Sequence, residues 1–111
     1  MSEAVSFLTE VLDFEVAGLM PPEHPFYAVL RRGADELHLS LPTGRVPFGH
    51  GCAILVCDDV DDLFRRFRAR GLAISARADS PVHEAPLDQT WGTREFYIDD
   101  PSGNTLILQQ R

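Results

Sequence analysis

Lysine is absent from the 111 residues. The ten basic side chains are all arginine, and against 17 acidic residues they leave a net charge of −7. A field of that sign repels nucleic acid and favours cationic small molecules or basic partners, although solubility is the plainer reading of the charge alone. Long apolar runs are missing too: none approaches the ~20 residues that span a bilayer. The opening Met1-Ser2-Glu3 lacks the basic start of a signal peptide, and Glu10 interrupts the apolar residues of the next stretch. The expectation is a cytoplasmic protein with neither a nucleic-acid nor a membrane partner. Cysteine is scarce, with only Cys52 and Cys57. On a strand their odd spacing puts them on opposite faces, where they cannot bridge. They read as small core residues in a reducing compartment. No glycine-rich phosphate loop follows a strand, no nucleophile elbow is present, and neither cysteine shows a sign of activation. Asp99 and Asp100 sit at a turn, where aspartate commonly bonds the backbone, and read as structural.

What is present is orderly. The length suits a single domain, residues 1–111, large enough for a core but small enough that a partner subunit would help. Ala4, Phe7, Leu8, Val11 and Leu12 fall at helical spacing over residues 3–13. Three strand-like runs come next, "EVAGLM", "FYAVLRR" and "ELHLSL", and residues 42–51 form a turn-rich linker. A second pass begins with "CAILVC". Asp58 or Asp59 caps a helix carrying Val60, Leu63, Phe64 and Phe67, which ends at Gly71. Its acidic first turn and arginine-rich last turns suit the helix dipole, so "RRFRAR" reads as a solvated helix end rather than a nucleic-acid patch. "LAISAR" is the next expected strand, and residues 78–90 form a polar loop with room for one irregular strand. "REFYID" and "TLILQQ" close the chain as a hairpin across "DPSGN".

The two halves share the order helix, strand, strand, strand. "RRGADELHLSL" aligns without a gap on "DPSGNTLILQQ", pairing Leu37 with Leu106, His38 with Ile107 and Leu39 with Leu108. Strand alternation turns Leu37, Leu39 and Leu41 toward a helix and His38 and Ser40 toward the other face.

"WGTREFYIDDPSGNTLIL" resembles the closing hairpin of the vicinal oxygen chelate superfamily, which includes glyoxalases, extradiol dioxygenases and bleomycin-resistance proteins. "SFLTEVLDFEVAG", "GADELHLSL" and "CAILVCDDVDDLFRRFRARGL" also look like that superfamily's segments, so the likeness covers essentially the whole chain. It implies an α+β fold of paired βαβββ modules, the glyoxalase/bleomycin resistance fold, here with the first strand of module one missing. Module one spans about 1–44 and module two about 52–111. The usual assembly is a homodimer, which would also cover an open sheet edge near residues 14–20.

By that resemblance the metal donors of catalytic members would fall on the missing strand, at His38, near Cys52 and at Ile107. Ile107 has no lone pair to offer, and Cys52 is a soft ligand. His50 is the one further donor beside Cys52; His24 and His83 lie in Pro-rich loops and carry no signal. A His/Cys remnant falls short of the three protein ligands such centres need. Neither a catalytic residue nor a cofactor is therefore expected. The departures are those of the bleomycin-resistance branch, whose members bind a planar cationic antibiotic at a dimer-interface groove without chemistry. The expectation is a small-molecule-binding protein for an aromatic, cationic ligand. Trp91 would supply a stacking face, and Phe26 and Tyr27 a second aromatic wall. His38, Cys52 and Ile107 would line the groove, with Arg94 pinning it through Glu95 or Asp88. The plainer alternative for Trp91 is a core or dimer-interface anchor. The alternative for the protein is a metal-dependent glyoxalase/lyase or dioxygenase with a divalent metal.

Overall fold

The computed structural model describes residues 2–41, 51–74 and 77–111, and the chain divides into two compact units, Met1–Gly49 and His50–Arg111. The fold class is α+β, each unit carrying one helix against one sheet.

The first unit opens with α1 (Ser2–Glu10), three residues shorter at its end than the periodicity suggests. Asp13 adopts a left-handed φ of 64°, and the Phe14 amide turns back to the Leu8 carbonyl, which closes the helix. Leu12 and Phe14 lie beyond that closure yet join Ala4 and Leu8 in the core. Strands β1 (Glu15–Met20), β2 (Tyr27–Arg32) and β3 (Asp35–Ser40) then form an antiparallel sheet in the order β1-β2-β3. Cross-strand partners point to one face, so Ala28 opposite Leu39 and Leu30 opposite Leu37 make the covered side. Tyr27, Val29 and Arg31, with Glu36, His38 and Ser40, make the other.

The second unit runs β4 (Cys52–Val56), α2 (Val60–Ala69), a short 3-10 turn (Pro81–His83), β5 (Leu87–Asp88), β6 (Arg94–Asp99) and β7 (Thr105–Gln110). Its sheet has the order β4-β7-β6-β5, with β4 parallel to β7 and the remaining pairs antiparallel. Asp59 caps α2, its Oδ1 accepting the Asp62 amide at 3.1 Å, and the Gln110 side chain accepts the Val60 amide at 3.0 Å. Gly71, at φ 101°, lets the chain leave the helix. Val60, Leu63 and Phe67 meet Phe96, Ile98, Leu106 and Leu108 as the core. Asp100 organises the hairpin turn, its Oδ1 accepting the amides of Ser102 and Asn104 at 2.9 and 2.8 Å.

Two expectations need correction. Residues 72–74 and 77 are not strand; residues 75 and 76, and the linker 42–50 with His50, lie outside the described residues. The second strand of the second unit is instead the two-residue β5, which falls inside the polar loop 78–90. Nor are both cysteines core residues: Cys52 is exposed and Cys57 half-buried, and neither is bridged. Among the described residues no helix is long and apolar enough to cross a membrane.

Candidate functional site

On the open face of the first unit, His38 is held at both nitrogens. Its Nε2 lies 2.7 Å from Glu36 Oε1 and its Nδ1 2.5 Å from the Tyr27 hydroxyl, with the two rings edge-on at 5.5 Å. A carboxylate only accepts, so Nε2 carries the proton and Tyr27 donates to Nδ1. Arg31 Nε donates to the same carboxylate at 2.8 Å. Hydrogen bonds from His38 and then Arg31 hold the Glu36 carboxyl below its ordinary range. The structure thus brings Tyr27 and His38 together on one face. Phe26 is an exposed ring at the foot of β2.

The open face of the second unit is built in rows across the sheet. Cα register aligns Val56, Gln109, Glu95 and Leu87 in one row, Ile54, Ile107 and Tyr97 in the next, and Cys52, Thr105 and Asp99 in the third. Trp91 stands in the tight connection between β5 and β6, its indole N–H directed to Glu95 of the first row. That connection closes through Gln89 N to Thr93 O at 2.7 Å and Gly92 N to Gln89 O at 3.1 Å. Gly92 sits at φ 94°, a conformation a side chain would strain. The indole is 62 % exposed and is neither a core anchor nor covered within its own unit. Ile54 and Val56 on β4, both about half exposed, and Leu87 on β5 are further exposed apolar side chains of this face.

Beneath this surface lies a residue that sequence reasoning assigned only as a partner for Arg94. Glu95 is 2 % exposed. Its Oε2 accepts from Gln109 Nε2 at 2.5 Å, Thr93 Oγ1 at 2.8 Å and Trp91 Nε1 at 3.4 Å, and its Oε1 from the Tyr97 hydroxyl at 3.3 Å. Burial pushes the Glu95 pKa up, but the four donors together outweigh it and leave it below the ordinary carboxylate value. Burial and then the Glu95 charge push the Tyr97 hydroxyl up. The signal was in the alternation: in "REFYID", Glu95 and Tyr97 fall on the face opposite Phe96 and Ile98.

Arg94 is on that other face. It grips Asp61 of α2 in a two-pronged pair at 2.9 and 3.0 Å and reaches Asp88 at 3.2 Å. Of the two partners the sequence offered, Arg94 pairs with Asp88 and not with Glu95, and its grip on Asp61 fastens the helix to the sheet. Asp61 is held below its ordinary pKa, first by the hydrogen bond from Arg94.

His83, which the sequence gave no signal, is almost fully buried. Its Nδ1 lies 2.6 Å from Ser80 Oγ and its Nε2 3.4 Å from Asp99 Oδ1, while Asp99 also pairs with Arg77 and accepts from Thr105 at 2.9 Å. The residue types are those of a hydrolytic triad. However, the adjoining cavity of about 30 Å³ has room for water rather than substrate, and Arg77 holds the carboxylate. The cluster ties the loop to the β6 edge. A larger recess of about 310 Å³ lies at the sheet end, lined by Asp88, Gln89, Gly92, Thr93, Arg94, Gln110 and Arg111. Apart from Gly92 its lining residues are polar or charged, without the aromatic and aliphatic side chains typical of ligand pockets.

The donor positions implied by the resemblance do not fit a catalytic metal ion. Both His38 nitrogens are engaged, Ile107 carries only an alkyl chain, and Cys52 is a lone thiol. Among the described residues, no three His, Cys, Asp or Glu side chains cluster as an ion site.

The family model of the Glyoxalase/Bleomycin resistance protein/Dioxygenase superfamily matches residues 1–108. Among solved structures, a bleomycin-binding protein complexed with bleomycin is 22 % identical, with 97 % of this chain and 87 % of that one covered at a TM-score of 0.74. A bleomycin resistance determinant encoded on the transposon Tn5 is 24 % identical, with 99 % and 87 % covered at 0.74. A lactoylglutathione lyase from Agrobacterium tumefaciens is 21 % identical, with 98 % and 84 % covered at 0.72. At these identities the likeness speaks for the fold. No curated protein matches the chain.

Proposed function

The chain belongs to the Glyoxalase/Bleomycin resistance protein/Dioxygenase superfamily, and within it we propose a non-catalytic binding protein that holds a planar, cationic small molecule against Trp91. The observation that carries this reading is an exposed indole, 62 % accessible, tethered by its N–H to a buried carboxylate on a sheet face that also exposes Ile54, Val56 and Leu87. Such a platform offers apolar area and a π face that attracts cations. The net charge of −7 draws a positive ligand in. Two structural neighbours are bleomycin-binding and bleomycin-resistance proteins, which makes a small-molecule ligand the natural comparison. The lyase or dioxygenase alternative lacks support in the donor chemistry, because Ile107 breaks the set. No resident cofactor is proposed.

Trp91 is the only tryptophan, so its fluorescence reports on this site alone. Bleomycin-type compounds or planar cations should quench or shift the emission, and Trp91→Ala should weaken binding by ~1–3 kcal/mol. Unchanged emission across such a panel at millimolar concentration rejects the reading. Stoichiometric metal in protein purified without a His-tag, lost in His38→Ala, would restore the enzymatic alternative.

The Trp91 face is open within its own unit, and a groove needs a second wall. We therefore take the working form to be a homodimer. Light scattering at micromolar concentration should give twice the chain mass; a monomer removes the interface groove.

A further inference from the structure

Resting on the Trp91 reading, we propose that Glu95 is the residue that sets the charge preference of the site. Its carboxylate, buried at the edge of the indole and bonded to the indole N–H, makes the Trp91 face select planar cations over neutral planar compounds of the same shape. Glu95 acts through Trp91 and is a positioning and specificity-determining residue, with no direct contact to the ligand required.

The first support is the hydrogen-bond inventory. Among the described residues every partner of Glu95 is a donor: the Gln109 amide, the Thr93 and Tyr97 hydroxyls and the Trp91 indole. The Gln109 orientation is fixed independently, since its Oε1 accepts from Arg111 Nε at 3.0 Å and its NH₂ must therefore face Glu95. An indole N–H and an amide NH₂ cannot accept a proton from a neutral acid. The arrangement is built for the ionised form, and the lowered Glu95 pKa agrees.

The second support is what is missing from that inventory. All four partners are uncharged, and among the described residues no salt bridge neutralises Glu95. Arg111 reaches it only through Gln109. A buried carboxylate without a countercharge is costly, and neutral donors offset the desolvation without cancelling the charge. The uncancelled charge lies beside the most exposed aromatic ring of the unit. An anion accepting from the indole N–H also leaves the ring more electron-rich, which strengthens the pull of its face on a cation. Val56 and Leu87 flank Glu95 and Gln109 in the same row, so a flat ligand covering them would exclude water from above the charge. Electrostatic attraction rises when water is excluded.

N-methylacridinium and acridine share one shape and differ in charge in mildly alkaline buffer, where acridine is neutral. Their dissociation constants would be measured by Trp91 quenching in the wild type and in Glu95→Gln, at raised ionic strength to screen the long-range field. The wild type should prefer the cation, and Glu95→Gln should narrow that preference by about tenfold while the neutral probe binds as before. Gln109→Lys, which sets an ammonium against the same carboxylate, should narrow it in the same direction and serves if Glu95→Gln fails to fold. An unchanged preference in a folded variant overturns the inference. An equal loss for both probes also overturns it, because Glu95 then only holds the ring. Failure of both probes to bind the wild type would instead strike the Trp91 reading itself, and this inference with it.

Discussion

Phe96→Ala should unfold the second unit far more readily without touching the proposed ligand face. Phe96 is 1 % exposed, and its ring meets Phe64 edge-on at 5.2 Å and Phe67 at 6.2 Å. Those two rings sit on α2, which is pinned at its other contacts by Arg94 and by the Gln110 cap and has little freedom to collapse into the space left. The cost therefore belongs in the usual range for a buried Phe truncation, ~3–5 kcal/mol. Phe96→Leu keeps most of the volume and should cost less than ~1.5 kcal/mol. Urea titration followed by far-UV circular dichroism is the suitable assay, because Trp91 is already in water and its emission is a poor witness to core loss. Ligand affinity in the folded Phe96→Leu protein should be unchanged, since Glu95 and Tyr97 flank Phe96 on the opposite face of the strand. A Phe96→Ala cost below ~1 kcal/mol would refute the assignment of this ring to the core.

Two further outcomes rest on the charges. The Glu95 pKa is lowered on folding, so its ionisation contributes stability above the unfolded carboxyl value near 4.5 and loses it as pH falls through the folded value; Glu95→Gln should show a flatter acid limb in chemical denaturation than the wild type, and identical slopes would count against the buried carboxylate. Arg94→Ala should lower the melting temperature while leaving Trp91 quenching by a bound ligand intact, and a selective loss of binding would make Arg94 part of the ligand site.

The helices and the final hairpin were legible because their signals are local. Asp59 caps α2 and Gly71 ends it; "DPSGN" turns the chain between β6 and β7, whose bounds match the sequence reading. Alternation correctly separated His38 from Leu37 and Leu39. The second strand of the second unit was legible only as room for one irregular strand in residues 78–90. "LAISAR" has the composition of a strand, but the β6 edge is occupied over its length by Leu87–Asp88 and by the Pro81–His83 turn, whose His83 is anchored on Asp99. Which segment takes a sheet edge is decided by tertiary contacts that propensity does not contain. Cys52 misled for a related reason: a strand buried on one face looks, by composition, like a strand buried on two.

The site shows the same division. Trp91 stood out because it is unique, and the break in the donor set could be read from Ile107 alone. Glu95 did not stand out, because "RE" at a strand start reads as a solvated pair of opposite charges. Alternation sends the two to different faces, and each finds a different kind of partner. Arg94 meets two carboxylates and becomes a clamp on α2, while Glu95 meets four neutral donors and stays charged at the edge of the indole. A swap of the partners would have made Glu95 one half of a buried salt bridge and left Trp91 over neutral ground. What gives the face its electrostatic character is therefore not the total of −7, which any acidic surface shares. It is that this one carboxylate is kept from the arginine next to it by the pleat of a single strand.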